Sequence, residues 1–177
     1  MAVEVITLAG GCFWCLEAVY ELVDGVTAVE SGYSNGHAHR PSYEQVCAGS
    51  TGHAEVVRVS FDAGRIPLEE ILQIFFTIHD PTTLNRQGND IGTQYRSGIY
   101  WHTPAQETVA RAVLEEARRA HGGRVATELA PEANYWPAEA YHQHYFANHP
   151  EQGYCAWVVA PKVEKFRRTF KARVRAA

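Results

Sequence analysis

No stretch of this sequence is long and apolar enough to cross a bilayer as a helix. The opening residues, MAVEVITLAGG, also lack the basic start and apolar run of a secretion signal. The expectation is a chain in a reducing, cytoplasmic setting with no membrane association. Excess basic charge is missing too: 16 Lys and Arg stand against 20 Asp and Glu, a formal net charge of -4. Nothing there suits nucleic acid or an anionic lipid surface. Internal repeats, low-complexity tracts and long linkers are absent. The 177 residues therefore read as one catalytic domain, with a core at about 3–157 and a helical tail at about 161–175. That length is enough to bury a proper core.

Cysteine is sparse, with Cys12, Cys15, Cys47 and Cys155 the only four. In a reducing compartment such residues are more often catalytic or metal-binding than structural disulfides. The stretch GGCFWCLE holds two of them. Its spacing alone is open to half a zinc site, a thioredoxin-like redox pair, or a nucleophile with a second thiol nearby.

The surrounding pattern places this pair. Residues 3–8 are β-branched and partly alternating, a strand that Gly10 and Gly11 break. Apolar positions 13, 16, 19, 20 and 22 then set a helix that Gly25 stops, with Cys12 in its first turn. Residues 26–31 are a second strand and 32–41 a loop. Ser42 and Gln45 have capping-box spacing for a short helix. Residues 53–62 alternate most cleanly and form a strand. Pro67 opens a helix with Leu68, Ile71, Leu72, Phe75 and Ile78 on one face. Residues 81–94 have little apolar content, and so long a loop is more often functional than idle. A strand at 96–102, a helix from Thr103 to Gly122, a strand at 124–129 and a last helix from near Pro161 complete the order. Val163, Phe166, Phe170 and Val174 are its inward residues. Short, partly alternating strands in the order β-α-β-(α)-β-α-β-α-β-α predict an α+β fold, a two-layer sandwich with a central mixed β-sheet and helices packed on it.

Several residues suit chemistry. A thiol in the first turn of a helix feels unpaired N–H groups and the positive end of the dipole, so Cys12 is expected below the usual thiol value of about 8.5. Glu55 shares its strand face with Val57, Val59 and Phe61, so it points toward the core from one strand end. A buried carboxyl stays protonated and can donate to a developing oxyanion; a strand-end Glu that curls back to solvent is equally open from the pattern. Tyr43, Tyr95 and Asp90 sit in loop-like segments as polar groups, each weak alone. Phe13 lies on the apolar stripe with Leu16 and Tyr20, which suits a core role, whereas Trp14 lies off it, which suits a cleft. Cys155 follows Asn-His-Pro-Glu-Gln-Gly-Tyr, a plausible mobile loop from which a thiol swings. Cys47 reads as a lone buried cysteine. His37 with His39, and His142 with His144, are the remaining ligand pairs. No second close pair accompanies Cys12 and Cys15, so no metal is expected.

Taken together, GCFWC, GYSNG, PSYEQVCAGSTGHAE, HDPTT, RQGNDIGTQYRSGIY, HQHYF and GYC resemble the A-type peptide methionine sulfoxide reductases, from about residue 7 to about residue 157. The resemblance implies an α+β sandwich that needs no cofactor. It implies reduction of the S epimer of methionine sulfoxide, free or in proteins, as repair after oxidation. Position by position it implies Cys12 as nucleophile, Phe13 and Trp14 as the wall around the substrate methyl, and Glu55 as the acid for the sulfoxide oxygen. Tyr43, Asp90 and Tyr95 position that oxygen, and Cys155 recycles Cys12. Thiolate attack gives a sulfenic acid, a second thiol condenses with it, and thioredoxin (or dithiothreitol in vitro) reduces the disulfide. One departure stands out: Cys15 occupies a position where many members carry Gly. It is a second candidate resolving thiol, a relay behind Cys155. The alternatives are a general thiol-disulfide oxidoreductase, which needs no Glu55, and a noncatalytic redox- or metal-binding module. A monomer is expected, and the basic residues Lys162, Lys165, Arg167 and Arg168 read as a solvated helix face.

Overall fold

Strict alternation along one strand sets the frame of the molecule. In the computed structural model, which describes residues 2–176, β3 (Ala54–Asp62) buries Val57, Val59 and Phe61 on one face and Val56 on the other. It lies between β1 (Val3–Gly10) and β2 (Val26–Ser34), antiparallel to both. β6 (Ser97–Trp101) extends the sheet beyond β1, and β7 (Glu128–Pro131) joins β6 in parallel. β8 (Trp136–Pro137) closes the far edge on β2. The order β7-β6-β1-β3-β2-β8 is a mixed sheet. It carries the α+β fold that the sequence predicts.

The helices bury their apolar stripes against one side. Ile6, Leu8, Val57, Val59 and Ile99 share a single core with residues of several helices. Among them are α1 (Phe13–Tyr20), α3 (Leu68–Ile78), α4 (Pro104–Ala120) and α6 (Ala160–Thr169). The local signals hold. Ser42 and Gln45 form a full capping box on α2 (Tyr43–Cys47). The Thr103 hydroxyl accepts from the Gln106 N–H and Pro104 opens α4. A short α5 (Tyr145–Asn148) follows in the aromatic segment.

Several boundaries differ from expectation. β2 continues to Ser34, into the loop expected at 32–41, and the last helix ends at Thr169, before Phe170 and Val174. The loop at 81–94 contains a small hairpin, β4 (Arg86–Gln87) with β5 (Asp90–Ile91). The strand expected at 124–129 starts only at Glu128. The Ala126 N–H donates to the Pro81 carbonyl at 2.7 Å, and the Thr127 and Ser97 hydroxyls pair at 2.8 Å, so long-range bonds hold this segment against the loop after α3 and the start of β6. The last helix begins before Pro161, because a π-helical turn, Cys155–Val159, runs into it.

The opposite face of the sheet is tied by charge. Ala9, Ala54, Val56 and Tyr100 form a small apolar cluster under Tyr135. Beside it the Glu132 carboxylate accepts from Arg58 Nε at 3.0 Å and from the Thr7 hydroxyl, with His102 Nε2 at 3.1 Å. The Arg58 guanidinium lies 3.7 Å from the centre of the Tyr135 ring. Burial opposes ionisation of Glu132, but hydrogen bonds from His102, Arg58 and Thr7 outweigh it and bring its pKa from 4.5 down to about 2. A carboxyl depressed by folding stabilises the native state above its unfolded pKa, and that contribution is lost as pH falls through the folded one. Glu132→Gln is therefore expected to lose on the order of 2 kcal/mol at pH 7, the scale of a hydrogen bond to a charged group. Urea denaturation at pH 7 and at pH 3 checks this: the gap between wild type and variant should shrink at the lower pH.

Candidate active site

Cys12 stands where β1 hands over to α1. Gly11 makes the turn at φ +92°, and a Cβ there would lie 2.7 Å from Gln87 Cγ, so glycine alone allows this approach. Gln87 is itself pinned: its amide exchanges two 2.9 Å hydrogen bonds with the main chain of Asp80. Cys12 occupies the N-cap rather than the first helical turn, and α1 starts at Phe13.

The expected drop in its pKa is reversed. Burial pushes the Cys12 thiol well above its ordinary value, and Glu55, Cys15 and Asp90 add to the rise. The Trp14 N–H pulls the other way, as a helix start should. Loss of solvent outweighs that N–H.

Glu55 is the acid beside it. It is 1% exposed, which settles the question its strand pattern left open. The Phe13 N–H donates to Glu55 Oε1 at 3.1 Å, while Oε2 has no partner. Burial raises its pKa to about 8; the Phe13 N–H opposes this and Asp90 reinforces it. Glu55 is thus mostly a neutral carboxylic acid at pH 7.

The other expected residues converge. Tyr43 opens α2, with its ring 6.5 Å from Phe13, and Tyr95 ends a 3-10 turn, Thr93–Tyr95. Burial first, with the Glu55 carboxyl adding, raises both phenols, so they remain O–H donors. Asp90, on the β4–β5 hairpin, accepts from the Tyr154 hydroxyl at 2.5 Å. Cys12, Asp90, Tyr154, Trp157 and Lys162 line one cleft of about 320 Å³. Phe13 is fully buried. Trp14 is half-buried and stacks flat on Tyr145, 3.8 Å between centroids at 4°.

The thiols need correction. Cys155 is not on a mobile loop. It is fully buried in the π-helical turn, with its N–H donated to Gln152 Oε1 at 3.1 Å. Such turns are rare and gather at functional sites. Cys47 is exposed at the end of α2 rather than buried. Cys15 is buried on the inner side of α1, and burial raises its pKa to about 11 against the lowering charge of Lys162. All four cysteines are free. The paired histidines do not act together: His142 accepts from Trp14 Nε1 at 3.3 Å, while His144 sits at φ +56° and bonds Glu21. Two residues escape the sequence reading, Tyr154 and His142. Each lies in a quoted motif, GYC and HQHYF, where a neighbouring thiol or a metal-ligand spacing draws the attention instead. The dense aromatics of 134–149 are the available signal.

Comparisons with known proteins agree with this geometry. The family model described as "Peptide methionine sulfoxide reductase" matches residues 4–174. "Peptide methionine sulfoxide reductase MsrA" of Thermus thermophilus is 50% identical over 175 residues, covering 99% of each chain. Reduced Mxr1 from Saccharomyces cerevisiae superposes with a TM-score of 0.83 at 41% identity, covering 86% of this chain and 89% of that one. Mxr1 in complex with Trx2 does so with a TM-score of 0.59 at 32% identity, covering 81% and 84%. A match that spans nearly the whole chain, on a fold and a cysteine site of this form, means that this protein belongs to the peptide methionine sulfoxide reductase family.

Proposed function

We propose that this protein reduces the S epimer of methionine sulfoxide, free or in proteins, to methionine, as peptide-methionine (S)-S-oxide reductase. One observation carries the reading: a buried acid beside Cys12, with one oxygen on the Phe13 N–H and the other unpaired. A dithiol exchange on protein disulfides has no use for such an acid, and this disfavours a general thiol-disulfide oxidoreductase.

The sulfoxide oxygen takes the free side of Glu55, with the Tyr43 and Tyr95 hydroxyls as further donors and Asp90 fixing the network. Phe13 and Trp14 hold the methyl group. Cys12 Sγ attacks the sulfur as Glu55 passes its proton to the oxygen. The proton of the Cys12 thiol replaces it on Glu55, so the thiolate exists only within the reacting complex and a raised thiol pKa does not block it. The hydroxyl then passes from the substrate sulfur to Cys12 Sγ as the bond between the two sulfurs breaks, so methionine leaves and Cys12 is left as sulfenic acid. A second thiol then attacks the Cys12 sulfur and expels water, leaving a disulfide. Cys155 makes this attack after the π-helical turn unwinds, and Cys15 serves as a relay. Thioredoxin returns both thiols to the reduced state; the relative solved with Trx2 supports that partner.

The same reading places the protein in the cytoplasm as a monomeric single domain that requires no metal or cofactor. No helix among the described residues is long and apolar enough to cross a membrane.

Three tests follow from this chemistry. With dithiothreitol and the separated epimers of an N-blocked methionine sulfoxide, only the S epimer should yield methionine; turnover of neither, with free thiols confirmed, would sink the proposal. The ratio kcat/KM should fall as pH rises through about 8, where Glu55 loses its proton. Glu55→Gln should remove that limb and cost roughly a hundred- to ten-thousand-fold in rate, the usual worth of a placed proton donor. Peptide mapping after one turnover without reductant should find Cys12 joined to Cys155. A Cys155→Ser variant that keeps full thioredoxin turnover through a Cys12–Cys15 bond would reverse the order of the resolving thiols.

A further inference from the structure

The active-site cleft has a larger neighbour. A second cavity of about 660 Å³ adjoins it, and Gln87, Pro161 and Lys162 form walls of both. The reaction above runs in the first cavity, beside Cys12, and makes no use of the second. Beyond the shared wall, Phe76 and Ile78 line the second cavity together with Lys165, His121 and Asp80.

Its charge is unlike that of the chain. The protein has three lysines, Lys162, Lys165 and Lys171, within a formal net charge of -4. Two of the three line this cavity. They are three residues apart on α6, so they stand on one side of the helix. The sequence predicts a single solvated face for Lys162, Lys165, Arg167 and Arg168, but the structure divides that set. Arg167 reaches Glu164 at 4.0 Å, while among the described residues neither Lys162 nor Lys165 has a carboxylate within ion-pair distance. Lys162 is also half-buried.

The nearby carboxylates are already engaged. Asp80 accepts from the Thr82 N–H and hydroxyl, and Asp90, in the first cavity, accepts from the Tyr154 hydroxyl. Two ammonium groups without an acceptor, beside the apolar Phe76 and Ile78, suit a carboxylate carried on a chain. An ion pair formed in such a hollow is screened less than one on open surface. Lys162 lines the cleft that also holds Cys12, so its charge stands beside whatever chain brings a sulfoxide to that thiol.

We propose that Lys162 and Lys165 bind an acidic residue that flanks the methionine sulfoxide in the substrate chain, so that the protein prefers oxidised methionines in acidic surroundings. This deepens the function proposed above and rests on it. The contact selects among protein substrates and leaves recognition of the sulfoxide itself to the first cavity. It also runs against the overall field: a net charge of -4 by itself favours basic peptides, so a preference for acidic ones requires a local site.

The test uses three blocked pentapeptides with methionine sulfoxide at the centre and Glu, Gln or Lys on both sides. Dithiothreitol serves as reductant, so no protein reductant takes part. The ratio of kcat/KM for the Glu peptide to that for the Gln peptide should be about five at low salt, the scale of two partly exposed ion pairs, and should shrink at high salt. Lys162→Gln with Lys165→Gln should bring the two peptides level. Lys162→Arg with Lys165→Arg keeps both charges and should keep the preference, and Lys162→Glu with Lys165→Glu should put the Lys peptide ahead. Each result is a ratio of two peptides on one protein, so general damage to the site cancels. A wild type without preference for the Glu peptide would overturn the proposal, as would a preference that survives the double Gln substitution. If that double variant keeps the peptide ratio and instead raises the KM for thioredoxin, the cavity serves the reductant and the proposal falls. If the wild type reduces none of the three peptides, the proposed function itself has failed, which is a separate result.

Discussion

The hydrogen bond from the Phe13 N–H to Glu55 joins the first turn of a helix to the central strand of the sheet. The rest of the site depends on it. A carboxyl at a helix start would ordinarily ionise, because the free N–H groups favour the anion. Here the acid is 1% exposed, and burial defeats the helix. Cys12 obeys the same balance, since loss of solvent outweighs the N–H that points at its sulfur. Two neighbouring groups that both resist ionisation suit a reaction that moves one proton onto oxygen and takes another from sulfur. Net charge need not build up in a site that would solvate it poorly.

Sheet register puts the acid there. Leu8 pairs with Val57 across β1 and β3, and continuing that register by two residues sets Gly10 opposite Glu55. The chain turns at Gly11, so Cys12 emerges next to the carboxyl. A slip of one residue would turn Glu55 to the other face of the sheet and bring Arg58 and Ser60 to the core side. That slip is costly, because Val57, Val59 and Phe61 would leave the main core with it.

What was legible in the sequence follows from the range of each signal. Alternation along 53–62 is local, and it put Glu55 on the core side. Caps at Ser42 and Thr103 are local, and they hold. The direction of the Cys12 pKa was not legible. A helix start is visible within a few residues, but the burial that overrides it comes from segments far along the chain. The state of Cys155 failed for a related reason. Gly and Pro nearby suggested mobility, yet the packing of α1 and α6 encloses the thiol. Tyr154 and His142 lie in a stretch with no clear period, and only tertiary contacts to Asp90 and Trp14 give them meaning.

Those contacts also constrain recycling. The segment after β8 is fastened to α1 at two points: the Tyr145 ring stacks on Trp14, and the Tyr145 N–H donates to the buried carboxylate of Glu17 at 3.2 Å. Nine residues later Tyr154 holds Asp90, and Cys155 is its chain neighbour. Under the proposed recycling, a Cys155 that moves toward Cys12 pulls on the Tyr154–Asp90 hydrogen bond. Asp90 is one of the charges that raise Cys12 and Glu55. The Tyr154–Asp90 bond thus ties the proposed resolving thiol to the charge that helps keep Cys12 and Glu55 protonated.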